Sequence, residues 1–231
     1  MNDHMSAPQP PDWLGRIRSA FDADPPKWFR DFVPPPGPAR QSAVLMLFGA
    51  RTGPLGQTSA VDVVLTERTP HLRSHAGQVS LPGGRIDPGD DGPIGAALRE
   101  THEEVGIEAH DISVVDTLDP LFLFPSQNAV TPVLGWWLRP TPLEVINPFE
   151  VARVARADID ELRDPANRFT VVGPSGYRGP GFEVEGLFVW GFTAMLLSEV
   201  LGLAGLTRPW DDQVERPLPA VQLERIWRGR S

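Results

Sequence analysis

The segment from Gly83 to Ile107 constrains this chain more than any other stretch. It opens Gly83-Gly84-Arg85-Ile86-Asp87-Pro88-Gly89-Asp90, runs on for eight residues, and closes Arg99-Glu100-Thr101-His102-Glu103-Glu104-Val105-Gly106-Ile107. Pro82-Gly83-Gly84 stops an extended stretch, Ala76 to Leu81, and the paired glycines allow close backbone approach. A helix must follow. Asp91 or Gly92 can cap it with Pro93 at the first helical position, and Gly106 suits the left-handed residue that ends it. At about 100° per residue, Ile94, Ala97, Leu98, Thr101 and Val105 form one stripe that can bury against a sheet. Glu100, Glu103 and Glu104 fall together on a different face.

Three carboxylates at these spacings repel one another. A solvated acidic surface would explain the three glutamates taken alone. These acids, however, sit late in the helix, where the macrodipole disfavours negative charge, and a Gly-Gly turn precedes the helix. Oxygen-rich clusters of this kind bind hard cations, usually Mg2+, which then bridge substrate phosphates.

Around this segment the chain alternates strands and helices. Trp13, Leu14, Ile17 and Phe21 recur at helical spacing, so a short amphipathic helix is expected near the N-terminus, followed by a Pro-rich linker at 34–38. Ser42 to Phe48, Val61 to Thr66, Ile112 to Thr117 and Thr131 to Leu138 read as strands, with Glu150 to Ala155 a further candidate. Arg51 to Gly56 is a turn or short loop. Asp158 to Arg163 suits a short helix, Phe182 to Val189 is extended, and Gly191 to Leu203 is helical. The pattern suggests a mixed sheet covered by helices on both faces. With 26 prolines densest near the N-terminus, the expectation is an ordered centre with loosely held termini.

The formal net charge is −9 and no Lys/Arg block exists, which argues against a nucleic-acid partner. An acidic protein still binds a polyanion if metal ions screen the charge locally. The absence of cysteine excludes disulfides and thiolate metal sites. Val189 to Leu206 approaches membrane-spanning length, but it carries Ser198, Glu199 and three glycines, so a buried helix of a soluble domain is the expectation. Met1 to Pro11 lacks the layout of a secretory signal, and the protein is expected to be cytoplasmic with no membrane partner.

The Gly83–Ile107 segment resembles the Nudix box: a glycine, a spaced acid, then Arg-Glu, an apolar residue, any residue, Glu-Glu, any residue, Gly and an apolar residue. The departures are that Asp90 or Asp91 replaces the usual glutamate, the stretch from Gly84 to Arg99 is one residue longer than usual, and Thr101 stands at a usually apolar position. Upstream, the block from Val64-Leu65-Thr66-Glu67-Arg68 through Arg73-Ser74-His75-Ala76-Gly77-Gln78 to Gly84 is similar to the one that marks the coenzyme A pyrophosphatase branch. Thr131-Pro132-Val133, Pro148 to Ala152 and Trp190 to Ala194 resemble that branch less specifically, so the likeness covers roughly 42–204.

What the resemblance implies is an α/β/α sandwich around a mixed β-sheet, with an N-terminal extension over 1–40, a Nudix hydrolase domain over 41–205 and a C-terminal extension over 206–231. It implies Mg2+- or Mn2+-dependent hydrolysis of coenzyme A or its derivatives to adenosine 3′,5′-bisphosphate and 4′-phosphopantetheine. Glu100, Glu103 and Glu104 are then the metal ligands, with the Gly84 carbonyl a further candidate. The base is open between a box glutamate (Glu100 or Glu103) and Glu150, which also reads as a plain loop acid. Arg68, Arg73, His75 and Gln78 are the candidate substrate contacts. Arg99 either pairs with a box carboxylate or is an ordinary surface residue. His102 is expected to be solvent-exposed, and His71 has no assigned role. Asp87 and Asp90, beside Pro88-Gly89, suit a turn and cap or outer-shell water. Oligomeric state is left open, a homodimer included. The rival readings are a Nudix hydrolase of a dinucleotide or nucleotide sugar, and a binding or regulatory module without catalysis. Intact box acids favour an enzyme.

Overall fold

The computed structural model describes residues 8–37, 39–52, 58–72, 75–220 and 222–223. The helices are α1 (Asp12–Ala23), α2 (Lys27–Asp31), α3 (Gly92–Val105), α4 (Ile159–Leu162) and α5 (Gly191–Leu203). The strands of the main sheet are β1 (Arg40–Thr52), β2 (Thr58–Arg68), β3 (Val79–Ser80), β4 (Gly83–Arg85), β5 (Ile112–Thr117), β6 (Leu121–Leu123), β7 (Asn128–Trp137) and β8 (Val151–Asp158). A second sheet holds β9 (Arg168–Val172), β10 (Arg178–Val184), β11 (Leu187–Val189) and β12 (Glu215–Pro217).

The main sheet is mixed. β1 runs parallel to β7 in register from Arg40↔Asn128 to Gly49↔Trp137, and antiparallel to β2 and β4. A parallel pair needs a long crossover, and the connection between β1 and β7 carries α3. Because both faces of β1 are covered, its sequence is a continuous apolar run instead of an alternating one. Ala43, Leu45 and Leu47 pack with Ala96, Ala97 and Val105 of α3; Met46, Phe48 and Ala50 pack on the opposite face with α1 and α5. Trp136 and Trp137, adjacent on β7, are divided between the two faces in the same way.

The expected N-terminal helix is present, but the expectation of a loosely held N-terminal segment is corrected for residues 12–32. Leu14, Ile17 and Phe21 are at most 2% exposed and belong to the larger core cluster. Phe21 meets Phe29 of α2 edge-on at 4.8 Å, Trp13 meets Phe48 at 5.3 Å, and Trp136 Nε1 donates to the Pro8 carbonyl at 2.6 Å. The physical reason lies in the sheet, whose second face is as apolar as the first and needs a helix over it. At the other end, Leu218 and Leu223 pack with Phe169 and Val171, and Trp210 lies 4.8 Å from the Arg168 guanidinium, so part of the C-terminal segment covers the second sheet. Of the turn or loop expected over Arg51 to Gly56, Arg51 and Thr52 instead end β1, and 53–56 lie outside the described residues, as do Val221 and Ile226.

Two further readings are corrected. Phe182 to Val189 is a hairpin and not one extended segment, because Glu185 and Gly186 both take positive φ in a two-residue turn. Glu150 lies just outside β8, which begins at Val151. The apolar stretch Val189 to Leu206 contains the 13-residue α5, and among the described residues no helix is long and apolar enough to cross a membrane.

If α1 is part of the core, Phe21→Ala should cost about 3–5 kcal/mol of unfolding free energy, measured by urea denaturation. Deleting residues 1–30 should abolish soluble expression. A Phe21→Ala loss below about 1 kcal/mol would make α1 an ornament of the sheet.

Candidate active site

The three-residue strand β4 is clamped between β1 and α3, and its two glycines meet different neighbours. Gly83, at φ 151°, leaves no room for a side chain: a Cβ there would lie 2.3 Å from the Ala43 carbonyl oxygen and 2.7 Å from Val44 Cα. A Cβ on Gly84 would instead lie 2.3 Å from Oε1 of Glu100. The second glycine therefore leaves the space in which the Glu100 carboxylate rests. One helical turn further, Glu104 Oε2 accepts the Gly83 N–H at 3.2 Å.

This arrangement corrects the stripe expected on α3. Ala97, Thr101 and Val105 are buried as expected, but Ile94 is 39% exposed, Ala96 is buried, and Glu104 is only 2% exposed. Near its C-terminus the helix faces the polar turn of β4 and the segment before β8, not apolar sheet alone, so a carboxylate is buried there. Glu103 is the outward member, its side chain 53% exposed.

Burial pushes the Glu104 carboxyl up to about 7, opposed by the Gly83 amide and the positive charge of Arg68, with Glu100 and Glu150 adding to the rise. Burial also raises Glu100; Arg99 opposes this, and Glu103 and Glu150 add to it. The structure thus brings Glu150 into the neighbourhood of both buried box acids. Its position is fixed through the backbone. Thr69 donates its N–H to the Glu150 carbonyl at 2.8 Å and its hydroxyl to the Phe149 carbonyl at 2.8 Å, and Ile146 N–H donates to the Glu104 carbonyl at 3.2 Å.

Arg99 is the organiser of the turn. Nε and Nη2 donate to the two oxygens of Asp90 at 2.9 and 3.0 Å, Nη1 donates to Glu100 Oε1 at 3.0 Å, and Nη2 also donates to the Arg85 carbonyl at 2.9 Å. Its contacts to Glu103 are longer, 3.4 and 3.5 Å. Asp90 is held below the usual carboxylate range, first by Arg99 and then by the Asp87 amide. Its side chain fastens the β4–α3 loop to the helix, a forked pairing that suits guanidinium and carboxylate geometry.

Arg68, the last residue of β2, donates its N–H to Gln78 and accepts the Gly77 N–H, at 2.9 and 3.0 Å. Its Nε is buried without a hydrogen-bond partner among the described residues. His75 Nδ1 and Gln78 Oε1 are 2.8 Å apart, so these two side chains engage each other on the loop strung from Arg68. Arg73 lies outside the described residues. His71 is exposed, and His102 is exposed beside Glu108. Sequence reasoning missed Thr69 as the anchor of 149–150. It also missed Gln222, whose amide donates to the Gly77 carbonyl at 2.6 Å across 145 positions.

The donor set suits a hard divalent cation: carboxylate oxygens and the Gly84 carbonyl, with two carboxyls raised partly by their neighbours' charge, a strain that a cation relieves. The side chains are not closed around one point. Among the described residues no group of three or more His, Cys, Asp or Glu is set to hold an ion. Arg99 engages Glu100 and Glu103, and the Gly83 amide engages Glu104.

Residues 40–171 match the NUDIX domain. The chain is 33% identical over 195 residues to the Nudix hydrolase NudL of an Enterobacter species, a match covering 81% of this chain and 92% of that protein. It is 32% identical over 171 residues to a probable nudix hydrolase of Schizosaccharomyces pombe, covering 71% of this chain and 56% of that one. It is 42% identical over 102 residues to Nudix hydrolase 3 of Caenorhabditis elegans, covering 43% and 42%. The chain thus spans about half the length of these two eukaryotic relatives. Among solved structures, RenU of M. smegmatis shares the fold with a TM-score of 0.51 at 19% identity, over 78% of this chain and 97% of that one.

The two glycines should separate in mutagenesis. Gly83→Ala drives a Cβ into backbone and should lower the unfolding midpoint sharply or prevent folding. Gly84→Ala meets only the end of a flexible side chain, so stability should change by less than about 1 kcal/mol while hydrolytic turnover falls about 100-fold. Full turnover in a folded Gly84→Ala variant would place Glu100 outside the working site.

Proposed function

This chain belongs to the Nudix hydrolase family, and we propose that it cleaves the pyrophosphate bond of coenzyme A or its derivatives, giving adenosine 3′,5′-bisphosphate and 4′-phosphopantetheine. The observation that carries the reading is the packing of the Glu100 carboxylate into the space left by Gly84 and of Glu104 onto the Gly83 amide, with Glu150 and Arg68 near enough to act on their charge. The upstream block that ends in this turn supports coenzyme A over a dinucleotide or nucleotide sugar.

Glu100, Glu103, Glu104 and the Gly84 carbonyl would hold Mg2+ or Mn2+. A divalent cation bound there neutralises the anhydride oxygens and makes the attacking water more acidic. The chain's own residues do the rest. Arg99 fixes Glu100 against Gly84 and ties the entry loop to the helix. A carboxylate at this turn, Glu150 or a box glutamate, accepts the proton of the water that attacks one phosphorus. The new P–O bond forms as the anhydride P–O bond breaks, and the departing phosphate leaves as the second product. Arg68 supplies a fixed positive charge for a phosphate group that does not react.

The test is Mg2+-dependent release of adenosine 3′,5′-bisphosphate from coenzyme A, abolished by EDTA; a chain that bound but never cleaved coenzyme A would contradict the reading. Glu103→Gln and Glu104→Gln should each lower turnover at least ~100-fold. Glu104→Gln should do so without loss of stability, since the amide keeps an acceptor for Gly83 and removes a buried charge. Near-normal turnover at limiting Mg2+ would remove that residue from the ligand set. Arg68→Ala should raise KM for coenzyme A about tenfold, a loss in line with one charged hydrogen bond, and should hardly affect dephospho-coenzyme A. Equal losses on both substrates would show that Arg68 serves Glu104 and not the 3′-phosphate.

A further inference from the structure

Phe149 is the most exposed large apolar side chain among the described residues, at 86%. Its backbone is nonetheless tightly held. The carbonyl accepts the Thr69 hydroxyl at 2.8 Å, the N–H donates to Asn147 Oδ1 at 3.2 Å, and the next carbonyl, that of Glu150, accepts the Thr69 N–H at 2.8 Å. Thr69 itself is only 5% exposed. Three residues back, Ile146 is tied to the Glu104 carbonyl, its side chain lies against Gly106, and it is 51% exposed. An apolar ring left in water on a fixed backbone, next in the chain to Glu150, gains nothing for the fold.

We propose that Phe149 is the platform on which the adenine ring of the substrate stacks, because the Thr69 clamp holds it open to solvent next to Glu150 and just beyond the end of β2 that carries Arg68. The occupant follows from the neighbours. Arg68 pairs with Val151 in the β2–β8 ladder, so Phe149 and the arginine proposed for the 3′-phosphate stand at the same end of the site. Adenine and the 3′-phosphate belong to the same half of the substrate. A flat heterocycle also stacks on an aromatic face without needing hydrogen bonds, which this ring cannot offer. The inference rests on the coenzyme A reading for its substrate but not for its ligand class, which is an adenine nucleotide.

The experiment compares wild type, Phe149→Ala and Phe149→Trp. It measures KM and kcat for coenzyme A, and the binding of ADP and of ribose 5-phosphate by calorimetry with Mg2+ present. Phe149→Ala should weaken ADP binding and raise KM about tenfold, within the range that base stacking commands, with the loss in KM and not in kcat. Phe149→Trp should restore both to within about twofold of wild type, a smaller gap than losing the ring creates. Ribose 5-phosphate, which lacks the ring, should bind all three alike, and unfolding midpoints should agree. If coenzyme A is not cleaved but Phe149→Ala still weakens ADP binding tenfold, the coenzyme A reading fails and the stacking stands. Equal ADP affinity in wild type and Phe149→Ala overturns the stacking whatever happens to coenzyme A, and so does ADP binding no tighter than ribose 5-phosphate. A wild-type dimer that Phe149→Ala dissociates in sedimentation would also overturn it, since a second copy would then be what covers the ring.

Discussion

Everything at this site depends on how closely β4 is pressed between β1 and α3. Gly83 touches the β1 backbone at a distance no side chain permits, and Gly84 gives its side-chain space to a carboxylate from the helix. The strand is only three residues long, so it has little ladder of its own to hold it. Its position is enforced by the register with Ala43 and Val44, by the Gly83 amide bonded to Glu104, and by Arg99 reaching back to the Arg85 carbonyl. The same few contacts that place the strand also place the acids.

The acids are gathered against their own electrostatics. Burial and mutual repulsion raise Glu100 and Glu104, and two arginines oppose the rise, Arg99 for Glu100 and Arg68 for Glu104. The arginines differ in kind. Arg99 is spent on fixed partners, above all Asp90, whereas Arg68 keeps a buried Nε that has no acceptor among the described residues. A group of carboxyls that cannot all ionise comfortably is well matched to a divalent cation and a polyanionic substrate arriving together.

The elements that were legible in the sequence are those with one strong local cause. α3 is fixed by Pro93, Gly106 and the part of its expected stripe that is buried, Ala97, Thr101 and Val105, β1 by its unbroken apolar run, and α5 by the same kind of run. What was not legible depends on distant partners. Glu104 reads as surface on a helical wheel because nothing nearby in sequence announces that Gly83 and the segment at 146–150 will close over it. Asp90 reads as a turn residue until Arg99 is seen to bind it. The second sheet was legible only as the extended stretch Phe182 to Val189, because β9 is just five residues long, β10 opens with Arg178, Gly179, Pro180 and Gly181, and β12 is Glu215–Pro217. Proline density near the N-terminus suggested loose ends, yet Leu14, Ile17 and Phe21 outweigh it because an apolar sheet face was waiting for them.

The central claim is that the acids around the Gly83-Gly84 turn form one cation site. Anomalous diffraction from crystals grown or soaked with Mn2+ tests it most directly. The account predicts manganese density in contact with the carboxylates of Glu100, Glu103 and Glu104, with Glu103 released from Arg99 to reach it. Manganese bound at His75 or elsewhere on the surface, with the three glutamates left as they stand against Arg99 and Gly83, would contradict it.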